Sequence, residues 1–288
     1  MPSLLSKSIG ILALLGLLGY LPTYLMFFLL GLTNHHHSTQ EHILEAQMTP
    51  TQQLKTFVQH PHAAQLVGMT YFLDFVFNYL LPVAVLLVLF HQIRAFYYQR
   101  NVNRLLLVNS FNVLGLAGFS IGSVSAMLLA ISSKLFVDMY TSSSDWDNHF
   151  AINMYHWVHE VTVHGFTGIV HCLLSGLYFI GLGYVLVQDF KKKLTFGIFN
   201  LLLGSACCLI SFFTIYRNFI STDKDESFLI IPTFAKMFAL PAWCSWCGFL
   251  LLTQREGTSL CFQQAGADLP PDQRNQPSIL EYMKTKDE

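Results

Sequence analysis

Six long apolar runs constrain this chain more than any other feature of its sequence. A helix needs about 20 apolar residues to cross ~30 Å of hydrocarbon, and only helices or closed barrels satisfy their backbone polar groups there. The runs lie at about residues 9–32, 66–91, 105–136, 162–187, 196–217 and 228–253. They lack the alternation of barrel strands. The sequence therefore predicts an all-α, polytopic bundle of six transmembrane helices within residues 1–253.

The composition agrees with this fold class. Hydrophobic residues make up 53% of the chain and charged residues 11%, whereas soluble domains average about 25% charged residues. The first run follows Lys7 but is about twice the length of a signal-peptide core, and no small-residue cleavage site follows it, so we expect an uncleaved helix. The net charge of -1 gives no indication of a nucleic-acid partner. Residues 254–288 are polar and contain three prolines, which predicts a flexible tail.

The distribution of basic residues predicts the topology. One set of connecting segments contains Lys7, Arg94, Arg100, Arg104, Lys191, Lys192, Lys193, Arg255, Arg274, Lys284 and Lys286. The opposite set contains only Lys55 and Lys224, with Lys134 and Arg217 at helix ends. Positive charge favours the cytoplasmic side. We therefore expect both termini and the tail to be cytoplasmic, and segments 33–65, 137–161 and 218–227 to face outward.

The first outer segment has local helix signals. Ser38 to Glu41 and Thr49 to Gln52 both match a capping box. Pro50 occupies the first helical position of the second box. These patterns predict short outer helices over the bundle.

Three ionisable residues within the runs are candidates for function, because charge inside a membrane is costly. Asp74, His171 and Lys236 all lie roughly 12–14 Å below the predicted outer ends of their helices. Asn78 follows Asp74 by one turn and shares its face. We interpret this set as a polar pocket open to the outside that binds a small solute or protons. The alternative is a buried Asp74–Lys236 ion pair that fixes helix register, with His171 as a core residue.

A stripe of protonatable residues extends along the fourth run and its outer extension. His149, His156, Glu160, His164 and His171 share one face if residues 148–187 form one helix. The i, i+4 spacing of His156, Glu160 and His164 suits metal ligands, but His156 and His164 would be about 12 Å apart. A zinc or copper site would therefore need ligands from elsewhere. Outer-segment candidates are His35, His36, His37, His42, His60 and His62. The alternative is an interfacial helix face that carries histidines.

Two short motifs favour packing over chemistry. Gly118-Phe-Ser120-Ile-Gly122 matches both the hydrolase motif G-x-S-x-G and the helix-packing motif G-x-x-x-G. Its position within a helix favours packing, whereas an intramembrane hydrolase would pair Ser120 with His164 or His171. Cys244-Ser-Trp-Cys247 matches C-x-x-C, but its apolar surroundings favour small packing residues over a reactive thiolate.

Four further features occur in a characteristic order. The first is an outer helix at 49–60, and the second is the acid Asp74 in a span that ends in a basic turn, Arg94 to Arg104. The third is the segment Gly168-Ile-Val-His-Cys-Leu-Leu-Ser-Gly176 in the fourth span. The fourth is a basic turn that leads into a fifth span rich in small residues, at Lys191 to Gly204. In this order the chain resembles a bacterial family of six-helix membrane proteins of unknown function, over roughly residues 8–253. The resemblance implies the fold and a bacterial inner membrane, and it implies no activity.

The chain departs from that family at Lys236, at the C-x-x-C motif and in its histidine-rich outer segments. Three hypotheses of function remain. The first is a transporter-like or sensor-like protein with an outward-facing polar pocket for a small solute or protons. The second is a metal-binding membrane protein or metalloenzyme that uses the outer histidines. The third is a structural or assembly partner in the lipid bilayer.

Overall fold

The computed structural model describes residues 4–16, 54–55, 58–59, 61–98, 102–141, 145–189, 194–220 and 227–253, and these residues form helices without a strand. Two short helical pieces, at 54–55 and 58–59, accompany six longer helices. The longer helices are α1 (Leu4–Gly16), α2 (Pro61–Asp74, Phe75–Leu80 and Leu81–Tyr98), α3 (Val102–Thr141), α4 (Asp145–His159, Glu160–His171 and Cys172–Asp189), α5 (Leu194–Phe219) and α6 (Ser227–Leu252).

Four of these helices are long and apolar enough to cross a membrane. Their spanning segments are Gln65–Arg94, Asn103–Thr141, Asn148–Asp189 and Leu194–Phe219. They match the second to fifth predicted spans, so the prediction of a multi-pass integral membrane protein is confirmed at this level. The first and sixth predicted spans are represented by the shorter apolar helices Leu4–Gly16 and Phe238–Leu252. The orientation of the termini stays a prediction, and the predicted tail, 254–288, lies outside the described residues.

The third and fourth spans are longer than the sequence predicted. α3 contains 40 residues, so it is about 60 Å long, roughly twice the thickness of the hydrocarbon core. At the end that we predict to face outward, Phe136 of α3 packs edge-on against Tyr155 of α4, with ring centroids 5.9 Å apart. Leu54 is fully buried in the same small cluster. Of the predicted short helix at 49–60, the structure describes residues 54, 55, 58 and 59, which are helical. The first capping box lies outside the described residues.

Small residues allow α4 and α5 to approach closely, as is typical of membrane helices. A methyl group added at Gly204 would lie 2.6 Å from the carbonyl oxygen of Gly176, and one at Gly183 would lie 2.7 Å from that of Gly197. Further toward the predicted outer end, the Ser211 hydroxyl donates a hydrogen bond to the carbonyl of Ile169, at 3.0 Å. The two helices are therefore antiparallel in one constant register.

Small and polar residues also line the contact between α3 and α4, which we call the α3–α4 seam. From the predicted outer end inward, its facing pairs are Ser125 with Thr167, Gly122 with His171, Gly118 with Ser175, Gly115 with Tyr178, and Arg104 with Asp189. These pairs keep the same antiparallel register over the whole length of the seam. The predicted packing role of the glycines is consistent with this geometry.

The apolar core lies toward the predicted cytoplasmic half. Trp243 of α6 is fully buried against Tyr178 and Phe179 of α4. Its indole Nε1 donates a hydrogen bond to Asn200 Oδ1 of α5, at 3.0 Å, so one buried polar contact fixes α6 against α5. Cys244 and Cys247 are fully buried in this core, as small packing residues would be.

Two segments of the bundle are π-helical. The turn Phe75–Leu80 of α2 ends two residues before Pro82. Proline lacks an N–H and clashes with the carbonyl four residues before it, so a regular α-helix is disfavoured there. The segment Glu160–His171 of α4 is held by hydroxyls from its neighbours. Ser125 donates to the carbonyl of Thr162, at 2.9 Å, and Ser211 donates to that of Ile169. Such donors stabilise irregular helix backbone in a membrane, and π-helical turns occur frequently at functional sites.

Candidate functional site

Polar side chains of α2 lie around its π-helical turn. The Asn78 side-chain amide donates a hydrogen bond to the Asp74 carboxylate, one turn earlier. Both side chains are half-buried. Tyr71 shares this face and interacts electrostatically with Asp74. The predicted pairing of Asp74 with Asn78 on one face is thus present, with Asn78 inside the π-helical turn.

Titratable side chains of α4 lie where its α-helical start gives way to the π-helical segment. Glu160 and His164 form an ion pair at 3.7 Å when the imidazole is protonated. The Glu160 side chain is 45% exposed and that of His164 is 18% exposed. The His159 ring lies 6.4 Å from that of His164 and 6.2 Å from that of Tyr155, measured between centroids. This row therefore leads from solvent into the bundle.

The two rows approach each other at their tyrosines. Tyr71 of α2 interacts electrostatically with Tyr155 of α4 as well as with Asp74. We call the whole set the outer polar cluster, and its members are Tyr71, Asp74, Asn78, Tyr155, His159, Glu160 and His164. It contains two half-buried carboxylates, together with imidazole and phenol groups that can donate or accept a proton.

Three members of this cluster, Tyr71, Tyr155 and His159, were not among the predicted site residues. Tyr71 precedes Asp74 by three residues, so the i, i+3 rule could have identified it. His159 was missed because the predicted stripe assumed uniform α-helical spacing. The change to π-helical backbone at Glu160 brings His159 beside His164.

His171 lies deeper than the outer polar cluster and is fully buried. Its ring contacts those of Tyr79 and Phe119 edge-on, with centroids 5.0 Å and 5.3 Å away. Its Nδ1 lies 2.9 Å from the carbonyl oxygen of Gly118. Since a carbonyl can only accept, Nδ1 carries the proton in this contact.

The structure therefore places His171 level with Tyr79 rather than with Asp74. Tyr79 follows Asp74 by 5 residues, so His171 lies about one turn farther from the predicted outer end. Asp74 and His171 were predicted to lie at equal depth, whereas the structure separates them by about one turn. Span ends read from hydropathy are uncertain by a few residues, which accounts for the difference. Lys236 belongs to α6, but its side chain lies outside the described part of the structure.

The histidine stripe is graded in exposure. The side chains of His149 and His156 are exposed, those of Glu160 and His164 are half-buried, and His171 is buried. One continuous helix carries them, as predicted, with a π-helical segment in its middle. Among the residues that the structure describes, no group of three or more His, Cys, Asp or Glu side chains could hold a metal ion. The additional zinc or copper ligands predicted from the first outer segment lie outside the described residues, apart from the backbone of His62.

Ser120 is exposed on the outside of α3, whereas Gly118 and Gly122 are buried in the α3–α4 seam. A side chain at Gly122 would overlap the Tyr79 ring and lie 3.1 Å from His171 Nδ1. The motif therefore forms a cavity-free contact for two aromatic rings. This arrangement directs the Ser120 hydroxyl away from the buried His171 and gives no support to a serine–histidine pair.

A second polar group closes the opposite end of the bundle, which we predict to be cytoplasmic. The Tyr97 hydroxyl of α2 donates a hydrogen bond to the Asp189 carboxylate of α4. Arg104 of α3 lies 3.6 Å from the same carboxylate and stacks over Tyr184, 5.5 Å from the ring centroid. Burial is the main cause that raises the pKa of Tyr97, and the hydrogen bond to Asp189 raises it further. The positive charge of Arg104 partly offsets this increase. The hydroxyl therefore stays a donor at neutral pH and ties three helices together.

The chain was compared with protein-family models, with curated proteins and with solved structures, and none matches it.

Proposed function

We propose that this chain is an integral membrane protein whose outer polar cluster takes up protons from the outer face, as part of a transporter-like or sensor-like activity. The observation that carries the proposal is the set of protonatable side chains at this level, with Glu160, His164, His159 and Tyr155 on α4 and Tyr71 and Asp74 on α2. Ionisable side chains within membrane helices mark proton and substrate pathways because their burial is otherwise costly.

The charges around the cluster suit reversible protonation. The α2 and α4 helices supply two carboxylates and two imidazoles, with the exposed His156 beside them. From α5, the half-buried Arg217 lies beyond Ser211 and so reaches the level of the π-helical segment. Lys134 of α3 is exposed and points away from the bundle. The backbone of Lys236 lies in the first half of α6. Histidine changes charge between about pH 5 and pH 8, so this set can respond to physiological pH.

Infrared difference spectroscopy of the protein in lipid bilayers tests the proposal. Proton uptake by Asp74 on acidification should add a carboxylic-acid band to the difference spectrum. Asp74→Asn should remove the band, and Asp74→Glu should shift it while keeping the carboxyl group. Asp138→Asn is the matched control, because Asp138 is an exposed carboxylate at the same end of α3.

The result that supports the proposal is a band lost in Asp74→Asn and kept in Asp138→Asn. A wild-type spectrum without any pH-dependent carboxyl band, or one that Asp74→Asn leaves unchanged, would refute it. The band shift of Asp74→Glu distinguishes a lost proton site from a variant that has failed to fold.

A further inference from the structure

One hydroxyl of α3 contacts α4 near the start of its π-helical segment. Ser125 is fully buried, and its Oγ donates a hydrogen bond to the carbonyl of Thr162 at 2.9 Å. The same oxygen lies 2.7 Å from Thr167 Oγ1. Since a serine hydroxyl has one hydrogen, Thr167 is the donor in the second contact. Ser125 therefore binds two residues of α4 that are 5 positions apart, which is the spacing of a π-helical hydrogen bond.

Thr162 links this contact to the histidines of the outer polar cluster. Its side chain is buried. Its hydroxyl donates to the carbonyls of Val158 and His159, at 2.6 Å and 3.2 Å. Thr162 thus accepts a hydrogen bond from α3 and donates one to the backbone of His159. Two consecutive hydrogen bonds connect Ser125 with this histidine.

The spacing of the cluster residues shows which contact needs the π-helical backbone. His159 and His164 are 5 positions apart, and their ring centroids are 6.4 Å apart. In a regular α-helix, side chains with this spacing point about 140° apart around the axis, so the two rings would not be neighbours. Glu160 and His164 have i, i+4 spacing, which keeps them on one face of a regular α-helix as well. The proximity of the two imidazoles therefore depends on the π-helical turn, and the Glu160–His164 pair does not.

We infer that Ser125 is a positioning residue that sets the pH at which the outer polar cluster takes up protons. Its hydroxyl stabilises the π-helical backbone at Thr162, as serine side chains do for irregular helix backbone in membranes. This backbone holds His159 beside His164. Two neighbouring imidazolium groups repel each other, so the second proton binds only at lower pH. Without the hydroxyl, α4 should return toward regular α-helix, in which Glu160 still pairs with His164 while His159 moves away.

Other titratable or charged groups in the outer part of the bundle come from α4 itself and from the helices around it. They are His156 and Tyr155 of α4, Tyr71 and Asp74 of α2, Lys134 and Asp138 of α3, and Arg217 of α5. Substitution of Ser125 removes none of these groups. A change in proton uptake that requires both His159 and His164 therefore reports on the contact between the two imidazoles.

This inference rests on the proposed function, and proton-uptake curves of the purified protein test it. The contribution of the two imidazoles is the difference between each protein and the same protein carrying His159→Gln and His164→Gln. Ser125→Ala should move the midpoint of this contribution to higher pH by about half a unit, which is the shift that one hydrogen bond between membrane helices can produce. Ser125→Thr retains the hydroxyl and should give the wild-type midpoint. Ser133→Ala is the matched control, because Ser133 is also buried on α3 but its hydroxyl donates to Leu129 of the same helix.

Ser211→Ala provides a second and independent measurement. It removes the donor from α5 to the carbonyl of Ile169, which belongs to the same π-helical segment. It should also move the midpoint to higher pH. This variant keeps the test decisive if Ser125→Ala does not fold.

The outcomes separate the two proposals. An unchanged midpoint in folded Ser125→Ala, or in Ser211→Ala if the first variant does not fold, would overturn the inference. A shift of equal size in Ser133→Ala, or one that Ser125→Thr also shows, would indicate a general loss of packing and would overturn it too, as would the absence of uptake by the two imidazoles. The infrared band of Asp74 decides the proposed function separately, and it should be present in all these variants because they leave the Asp74 carboxyl group in place.

Discussion

Gly118→Ala tests the α3–α4 seam at a backbone contact. The added methyl group would lie 2.9 Å from the Ser175 backbone nitrogen and 3.0 Å from Leu174 Cβ. Backbone cannot yield as a flexible side chain can, so the helices must separate by several tenths of an ångström. Overpacking of this kind costs about 1–3 kcal/mol, and the better helix propensity of alanine returns about 1 kcal/mol. We expect a net loss of about 1 kcal/mol in the free energy of unfolding, which is the middle of the range that these two terms give.

The same substitution at Gly165 is the matched control. A methyl group added at Gly165 has no neighbour within 4 Å, so only the propensity gain remains, and we expect unchanged or slightly greater stability. Unfolding of the purified proteins with a denaturing detergent measures both values. Equal stability of the two variants, or a Gly118→Ala protein as stable as wild type, would refute the close approach of α3 and α4.

Three further predictions follow from single contacts. Tyr97→Phe should lower stability at neutral pH, because it removes the hydrogen-bond donor to Asp189. Folding raises the pKa of Tyr97, so the stability difference from wild type should persist below about pH 10 and disappear as the pH rises beyond that value. Thermal unfolding measured across this pH range tests the prediction. Trp243→Phe should lower the free energy of unfolding by about 1 kcal/mol, because Asn200 Oδ1 loses its indole donor. In a double-mutant cycle, Trp243→Phe combined with Asn200→Leu should cost less than the sum of the two single changes. Because the proposed proton uptake uses side chains alone, a metal chelator should leave the pH-dependent infrared spectrum unchanged. Loss of the pH response with the chelator would favour the alternative of a zinc or copper protein.

Hydropathy predicted the helical spans well because the cost of unsatisfied backbone in hydrocarbon permits few alternatives. Four spans agree with the structure, and α3 and α4 extend beyond their predicted ends. Those extensions are less apolar segments such as Asp145–His159. They are stabilised by contacts such as Phe136 with Tyr155, which a search for apolar runs does not detect.

The candidate site was predictable only in part. Asp74 was identified as a costly charge within an apolar helix, and Glu160 and His164 were identified as members of the histidine stripe. The structure places all three in the outer polar cluster. Tyr71 and Tyr155 were not predicted because their proximity depends on tertiary packing. The π-helical backbone from Glu160 to His171 also changes which side chains share a face, and it depends on donors from α3 and α5 that no local pattern reveals.

Counting the protons that the purified protein takes up tests the central claim most directly. Weakly buffered protein is titrated from about pH 8 to pH 5, and the uptake of wild type is compared with that of a variant carrying Asp74→Asn, Glu160→Gln and His164→Gln. We expect the wild type to bind more protons than the folded variant across this range. Identical uptake by the two proteins would contradict the claim that the outer polar cluster is a proton-binding site.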